Sequence, residues 1–295
     1  LPLFDRQARP LRLTPAGEYY IACVEQVMQI EREMESHFSA MTGRKRGVVN
    51  VGGSAFFCNY VLPGIAEEFR ELYPHCHLNL VESDTATIIE LLKTGRLDFT
   101  VNVEQLDPGA FESCWIGREE LVLAVPRGFA VNETLVDRRL CFDEICGAGE
   151  LLERALPVRL SLFRDEDFLL LKQSNDSYRR VRAMCQREGF EPRAVMYLDQ
   201  MLTAYNIACS GKGIAFVRAS LTRYVEPTER LWFYKLDYPE VRREICLYSR
   251  RDKKHSAAAQ AFLKYVRMKK EADPSGRGLI VPLAHGEIKK DPGKA

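Results

Sequence analysis

The sequence predicts an α/β protein with two doubly wound subdomains, and three observations support this fold class. The chain has 295 residues, which is too many for one ordinary hydrophobic core. Short apolar strands alternate with helices over residues 48–103. A second series of the same plan covers residues 168–217. Such alternation is typical of parallel sheets, because a helix must carry the chain from one strand to the next.

Composition excludes several classes of protein. Hydrophobic residues make up 46% of the chain and charged residues 28%, which is an ordinary globular balance. No apolar run is long enough to span a bilayer, and the first residues lack the layout of a signal peptide. The nine cysteines form no CxxC motif, so reduced thiols and a cytoplasmic location are expected. The absence of a starting Met indicates that the chain begins inside a longer gene product.

Charge is distributed unevenly, although the net charge is only +1. Residues 51–249 carry 23 basic and 30 acidic side chains, whereas residues 250–295 carry 12 basic and 5 acidic ones. An acidic body repels phosphate, so any contact with nucleic acid is expected outside it. Pro, Gly and charged residues dominate 271–295 and predict a disordered tail, with contact to an acidic partner as the alternative.

A long helix is predicted to begin at Pro15, with Thr14 as its N-cap, and to end before Gly43. Apolar residues recur along it with a seven-residue period and form a narrow seam. A seam of this kind favours a dimeric coiled coil, and its contact residues would be Tyr20, Cys23, Val27, Ile30 and Met34. Packing of the seam against the rest of the same chain is the alternative.

The first α/β unit follows this helix. Its turns are marked by Gly52-Gly53-Ser54, by Pro74 and by Gly95. Between these breakers the pattern predicts strands over 48–51, 77–81 and 97–103, and helices over 61–73 and 85–94. A further strand is predicted over 120–125. The irregular region 127–165 comes next, with one short helix near 145–156.

The second unit repeats the plan and ends at a glycine pair, Gly211 and Gly213. The pattern predicts strands over 168–172, 194–198 and 214–217, with helices over 177–187 and 200–210. Two more strands and a helix complete the fold, over 231–236, 244–249 and 256–270.

Five short motifs resemble one known family when they are taken in order. The segments Leu3-Phe4-Asp5-Arg6 and Leu13-Thr14-Pro15-Ala16-Gly17 resemble the wing and following helix start of LysR-type transcriptional regulators. Four further segments resemble the effector domain of that family: Leu62-Pro63 through Phe69, Tyr73-Pro74 to Gly95 and Asp98, Phe168 to Leu171, and Gly211 to Ala215. Each motif alone is weak, but the five in order and spacing are specific, and they cover residues 1 to about 270.

The resemblance implies a specific architecture. A winged-helix remnant over 1–14 and a dimerising linker helix over 15–46 would precede an effector domain of the type 2 periplasmic-binding-protein kind. Residues 47–125 with 230–270 would form its first subdomain and residues 126–229 its second, with a ligand cleft between them. The recognition helix would lie before Leu1. The chain departs from the family pattern in its longer 127–165 region and in Arg218, which stands where Pro is common.

Candidate ligand contacts lie where strands of the two sheets end, because doubly wound folds bind ligands there, beside helix N-termini. The resemblance places the Ser54 and Thr85 hydroxyls toward an effector carboxylate, whereas ordinary helix caps are the alternative. Phe56 is a candidate floor for the pocket. Ser174 follows the strand at 168–172, and Asp84 would repel an anion unless it points away.

Three further candidates are Asn102, Gln200 and Arg218, which follow strands or open a helix beside the same cleft. For Asn102 and Gln200, solvated helix or strand ends are the alternative. For Arg218, a surface salt bridge is favoured over contact with an effector carboxylate.

The sequence therefore predicts a LysR-type transcription regulator rather than an enzyme. No catalytic, metal or cofactor motif is present, so no cofactor is expected. Its partners would be promoter DNA through the full-length protein, a small-molecule effector with carboxylates as the first candidates, a second copy in a dimer or tetramer, and RNA polymerase as a further candidate. The alternatives are a solute receptor and an enzyme using Cys58, whose thiol would ionise readily near a helix N-terminus. Cys141 and Cys146 could form a redox pair.

Overall fold

A small hairpin and a long helix open the computed structural model, which describes residues 1–42, 46–146 and 150–272. Strand β1 (Phe4–Asp5) pairs antiparallel with β2 (Arg12–Leu13), and α1 spans Pro15–Thr42. Thr14 is the predicted N-cap, since its hydroxyl accepts a 3.1 Å hydrogen bond from the Gly17 backbone N–H. A Cβ atom on Gly17 would lie 2.0 Å from the Leu3 carbonyl oxygen, so this glycine lets the hairpin pack against the helix.

The apolar seam of α1 is not covered by the rest of the chain. Tyr20, Val27, Ile30 and Met34 are each more than half exposed, and Cys23 is half-buried. The alternative in which the seam packs against its own chain is therefore wrong for these four residues. Large apolar residues also lie exposed on either side of the seam, at Tyr19, Ile21, Val24, Met28 and Phe38.

The first sheet has three parallel strands: β3 (Gly47–Gly53), β4 (Cys76–Glu82) and β5 (Phe99–Asn102). Helices α2 (Leu62–Leu72) and α3 (Thr85–Lys93) connect them. A π-helical turn over Phe57–Val61 leads into α2. These elements agree with the predicted order and type.

A 16-residue strand, β6 (Phe111–Pro126), carries the chain from the first sheet to the second. Its first half pairs antiparallel with β11 (Arg242–Arg250), and its second half pairs antiparallel with β9 (Ile214–Arg218) and β10 (Leu231–Lys235). Only 120–125 was predicted as strand, because the exposed polar residues Glu112, Ser113 and Arg118 interrupt the apolar pattern of the first half.

The second sheet is completed by β7 (Asp167–Leu171), which lies parallel to β8 (Arg193–Leu198) and to β9. Helices α6 (Asp176–Arg187) and α7 (Met201–Cys209) connect these strands. Strand β10 pairs with the second half of β6, as β9 does. The predicted division, which places residues 230–270 in the first subdomain, stays a prediction.

Two short helices, α4 (Phe142–Cys146) and α5 (Glu150–Arg154), lie where one helix was predicted. The last helix, α8 (Ala257–Glu271), packs against β3 and β6. The strand path runs β4-β3-β5-β11-β6-β9-β7-β8, with β10 beside β6. Within the described ranges, no helix combines the length and apolarity that crossing a membrane requires. Within the predicted tail 271–295, the residues from 273 onward lie outside the described residues, as does Gly43, before which the long helix was predicted to end.

Candidate functional site

The ends of strands from both sheets enclose a narrow cleft. Five of the seven predicted ligand contacts line it: Ser54, Thr85, Asn102, Gln200 and Arg218. The enclosed volume is about 50 Å³, which accommodates a few water molecules but is far below the size of ordinary small-molecule sites. The structure therefore brings the predicted side chains together in a closed arrangement.

The Thr85 hydroxyl does not cap helix α3, which was the alternative to contact with a ligand. Asp84 is the N-cap of α3, because its carboxylate accepts hydrogen bonds from the Thr87 backbone N–H at 3.0 Å and from the Thr87 hydroxyl at 2.7 Å. These bonds lower the pKa of Asp84 and turn its charge toward its own helix. Asp84 does not line the cleft, so its repulsion of an anion there is removed.

Asn102 presents a buried hydrogen-bond donor. The residue is 6% exposed, and its Oδ1 accepts from the backbone N–H groups of Val103 at 2.7 Å and Glu104 at 3.1 Å. Its Nδ2 has no acceptor among the described residues. Because an unpaired buried donor costs free energy, this atom is well placed to receive a ligand oxygen.

A buried ion cluster forms the floor of the cleft, and sequence analysis identified only one of its members. Arg218 Nε lies 2.5 Å from Glu119 Oε2, and the other oxygen of Glu119 pairs with Arg243. Arg243 also donates to the Ser177 hydroxyl at 3.0 Å. Burial lowers the pKa of Arg243, whereas the charge of Glu119 opposes that shift.

Arg218 was predicted to make a surface salt bridge, and that prediction is wrong. It is 8% exposed, and its guanidinium carbon lies 4.5 Å from the centre of the Phe56 ring. The end of β9 points Arg218 inward, toward Glu119 on the crossing strand β6. A single charged residue at the end of a strand does not show whether its side chain points into the protein or into solvent, so the sequence alone could not reveal the buried pairing of Arg218.

The cluster carries an excess of positive charge. Arg180 Nε lies 2.5 Å from Asp176 Oδ2, and Arg243 lies 3.6 Å from the same oxygen. Three arginines of the cluster, Arg180, Arg218 and Arg243, therefore face two carboxylates, Glu119 and Asp176. Asp199 also lines the cleft and pairs with Lys172 at 2.8 Å. The cleft offers hydroxyl and amide donors above the arginines, which suits an anion.

Two predicted contacts lie elsewhere. Ser174 is exposed and does not line the cleft, because the chain turns so that Asn175, Asp176 and Ser177 face it instead. Phe56 is buried beneath Arg218, in a small aromatic cluster with Tyr60 and Tyr224. Its neighbour Phe57 is the phenylalanine that contacts the cleft.

The surroundings of Cys58 differ from those expected of a reactive thiol. Burial and the neighbouring Glu82 raise the pKa of Cys58 to about 11, and its Sγ lies 3.5 Å from the Gly53 carbonyl oxygen. The expected ionisation of this thiol is therefore wrong. Cys141 and Cys146 are half-buried, and the Cys146 Sγ donates to the Thr222 carbonyl oxygen at 3.5 Å. Among the residues described, no group of three or more side chains is arranged to hold a metal ion.

Known proteins resemble this chain over most of its length. The LysR substrate binding domain family matches residues 42–270. The HTH-type transcriptional regulator YcgK of Bacillus subtilis is 25% identical over 238 residues, covering 77% of this chain and 69% of its own. The HTH-type transcriptional regulator ShiR of Corynebacterium glutamicum is 25% identical over 218 residues, covering 72% of this chain and 66% of its own.

Solved structures agree in fold. The effector-binding domain of QuiR in complex with shikimate superposes with a TM-score of 0.60 at 16% identity, covering 77% of this chain and 98% of that one. Full-length CbnR complexed with its target DNA has a TM-score of 0.60 at 19% identity, covering 91% of this chain and 84% of that one. The motifs, the fold and the family match over most of the chain agree: the protein belongs to the LysR family of transcriptional regulators and carries its substrate-binding domain.

Proposed function

We propose that the cleft binds a small organic anion, with carboxylates as the first class, and that this ligand is the effector of the regulator. The observation that carries the proposal is the unpaired Nδ2 of Asn102, a buried donor whose amide is held in orientation by two backbone N–H groups. The Ser54 and Thr85 hydroxyls and the cationic cluster supply the other contacts. The complex of QuiR with shikimate supports a small molecule as the ligand.

The cleft must widen before such a ligand enters. Several contacts hold it closed. Glu104, which follows β5, pairs with Arg179 on α6, and Phe56 packs against Arg218 and Tyr224. Ligand binding would shift the population toward the conformation that holds the ligand.

We further propose a role for each part of the chain. Residues 1–14 are the wing remnant, and residues 15–46 are a linker helix that dimerises through its exposed seam. Promoter contact belongs to the full-length protein, in line with the complex of CbnR and its target DNA. The two sheets are the two subdomains. The protein acts in the cytoplasm as a transcription regulator rather than an enzyme, in line with relatives named as HTH-type transcriptional regulators.

A thermal-shift screen that pairs small carboxylic acids with their neutral amides tests the proposal. A ligand of the cleft raises the melting temperature by mass action, and the acids should act where the amides do not. Asn102→Asp keeps the acceptor for the two backbone N–H groups but replaces the donor with a negative charge, so it should abolish the shift. Asn206→Asp adds the same charge at an exposed position on α7 and should leave the shift intact. Equal shifts for acids and amides, or an unaffected Asn102→Asp variant, would contradict the proposal.

A further inference from the structure

A second and larger cavity lies beside the cleft and has no part in the proposed function. Its volume is about 630 Å³, which lies within the range of small-molecule sites. The cavity, which we call the ribbon groove, lies along the antiparallel pair β6–β11, between the segment 103–108 and Arg180 on α6. It shares two lining residues, Val103 and Arg243, with the cleft.

The floor of the ribbon groove is apolar and aromatic. Strand register pairs Trp115 with Cys246 and Ser113 with Tyr248, and all four residues line the groove. Phe111 and Leu106 extend the same surface. Phe111 and Tyr248 are each 6% exposed, so the half-buried Trp115 supplies most of the aromatic contact area for a planar or other apolar group.

Positive charge dominates the polar side chains of the groove. Four arginines line it, at positions 180, 242, 243 and 251, against two glutamates, at 112 and 244. Glu244 accepts a hydrogen bond from the indole N–H of Trp115. Arg251 donates to the Pro108 carbonyl oxygen at 3.2 Å, so it is partly engaged at the other end of the groove.

Arg243 supplies the ribbon groove with a buried hydrogen-bond donor. It is 2% exposed, and its Nε has no acceptor among the residues that the structure describes. Arg242, its neighbour, is exposed and lines the groove. The apolar floor and the arginine end together match a molecule with an apolar body and one anionic group.

We propose that the ribbon groove is a second ligand site, for an organic acid with an aromatic or other apolar body. The body would lie on Trp115 and Tyr248, and the carboxylate would face Arg242 and Arg243. This ligand differs from that of the cleft, where hydroxyl and amide donors surround the anion and the enclosed volume is small. The proposal does not depend on the ligand of the cleft.

Tryptophan fluorescence offers a direct test, because the chain has only two tryptophans. In the full 295-residue chain carrying Trp232→Phe, emission reports Trp115 alone. Titration with 3-phenylpropanoate should change that emission saturably, and 3-phenylpropanamide should bind about tenfold more weakly, since it lacks the charge. Arg242→Gln should weaken binding of the acid by about tenfold.

Two more variants test whether the response arises in the ribbon groove. Ser113→Phe places a ring in the groove at an exposed strand position that tolerates it, and should abolish the response. Arg164→Gln, which removes an exposed arginine elsewhere, should leave the response unchanged. No saturable response, a response that survives Ser113→Phe, or a response lost in Arg164→Gln would each overturn the proposal.

Discussion

At the scale of single residues, the cleft depends on which polar groups are already engaged. Asp84 accepts two hydrogen bonds from Thr87 at the start of α3 and is satisfied. Asn102 accepts from two backbone N–H groups at the end of β5 and keeps one donor without an acceptor among the described residues. Thr85, next to Asp84, makes no side-chain hydrogen bond among the described residues. Asp84 and Thr85 are adjacent at the start of α3, yet Asp84 caps the helix whereas the Thr85 hydroxyl is available to a ligand.

We expect Thr85→Ala and Asp84→Ala to affect different quantities. Thr85→Ala should remove a charge-assisted hydrogen bond worth about 1.5–3 kcal/mol, a ten- to hundredfold loss of affinity, with little change in stability. Asp84→Ala should cost about 1 kcal/mol of stability by removing the cap, with affinity nearly intact. Ser54→Ala should behave like Thr85→Ala.

Calorimetric titration of each variant with a ligand from the screen, together with its melting curve, measures both quantities. A Thr85→Ala variant with unchanged affinity and a lowered melting temperature would show that its hydroxyl has a structural role. Attention would then move to the remaining contacts, Asn102, Gln200 and Arg218.

At the scale of elements, the crossing strands β6 and β11 are the least predictable part of the fold. The parallel units could be predicted because their buried strands are continuous apolar runs between clear breakers. The exposed polar residues Glu112, Ser113 and Arg118 interrupt the apolar pattern in the first half of β6, and its pairing with a strand about 130 residues later leaves no local signal. Five of the seven residues predicted as ligand contacts line the cleft. Glu119 and Arg243 could not be predicted from the sequence, because they lie on β6 and β11 and form an ion pair only where these two strands meet.

The Glu119 cluster makes the crossing strands sensitive to the loss of one charge. Glu119→Gln leaves Arg218 and Arg243 buried without their counter-ion, so we expect a loss of about 3–5 kcal/mol in the free energy of unfolding. Urea denaturation measures it. Glu191→Gln removes a carboxylate from an exposed pair with Arg182 and should leave stability close to unchanged. Equal midpoints for the two variants would show that the buried cluster does not stabilise the fold.

The exposed seam of α1 is a second element whose role can be tested. Val27→Asp combined with Met34→Asp places like charges opposite their own copies in a coiled coil, and should dissociate the dimer. Ala22→Asp with Gln26→Asp adds the same charge at exposed positions outside the seam and should not. Sedimentation velocity distinguishes the species. An unchanged oligomer in the seam variant would mean that other surfaces hold the assembly together.

At the scale of the whole molecule, β6 pairs with strands of both sheets and joins them, and the cleft lies where the strand ends of both sheets meet. This arrangement allows a ligand to change the orientation of one sheet relative to the other without unfolding either sheet. The described N-terminal part consists of a hairpin and a long helix. It therefore supplies no recognition helix for the major groove.

We expect this chain to bind DNA weakly and without sequence preference, because its body is acidic and the base-reading helix of a winged fold is not among its described elements. Gel-shift titrations with promoter and scrambled duplexes at physiological salt should give the same weak affinity. A nanomolar, sequence-specific shift would contradict the assignment of residues 1–14 as a wing remnant.

The central claim is that an organic anion is held in the cleft between the two sheets. The most direct test is a crystal structure of the chain with a carboxylate that the thermal-shift screen identifies. The account predicts a widened cleft in which the carboxylate accepts a hydrogen bond from Asn102 Nδ2, with Ser54 and Thr85 within hydrogen-bond distance. A carboxylate bound only outside the cleft, with Asn102 Nδ2 still unpaired, would contradict it.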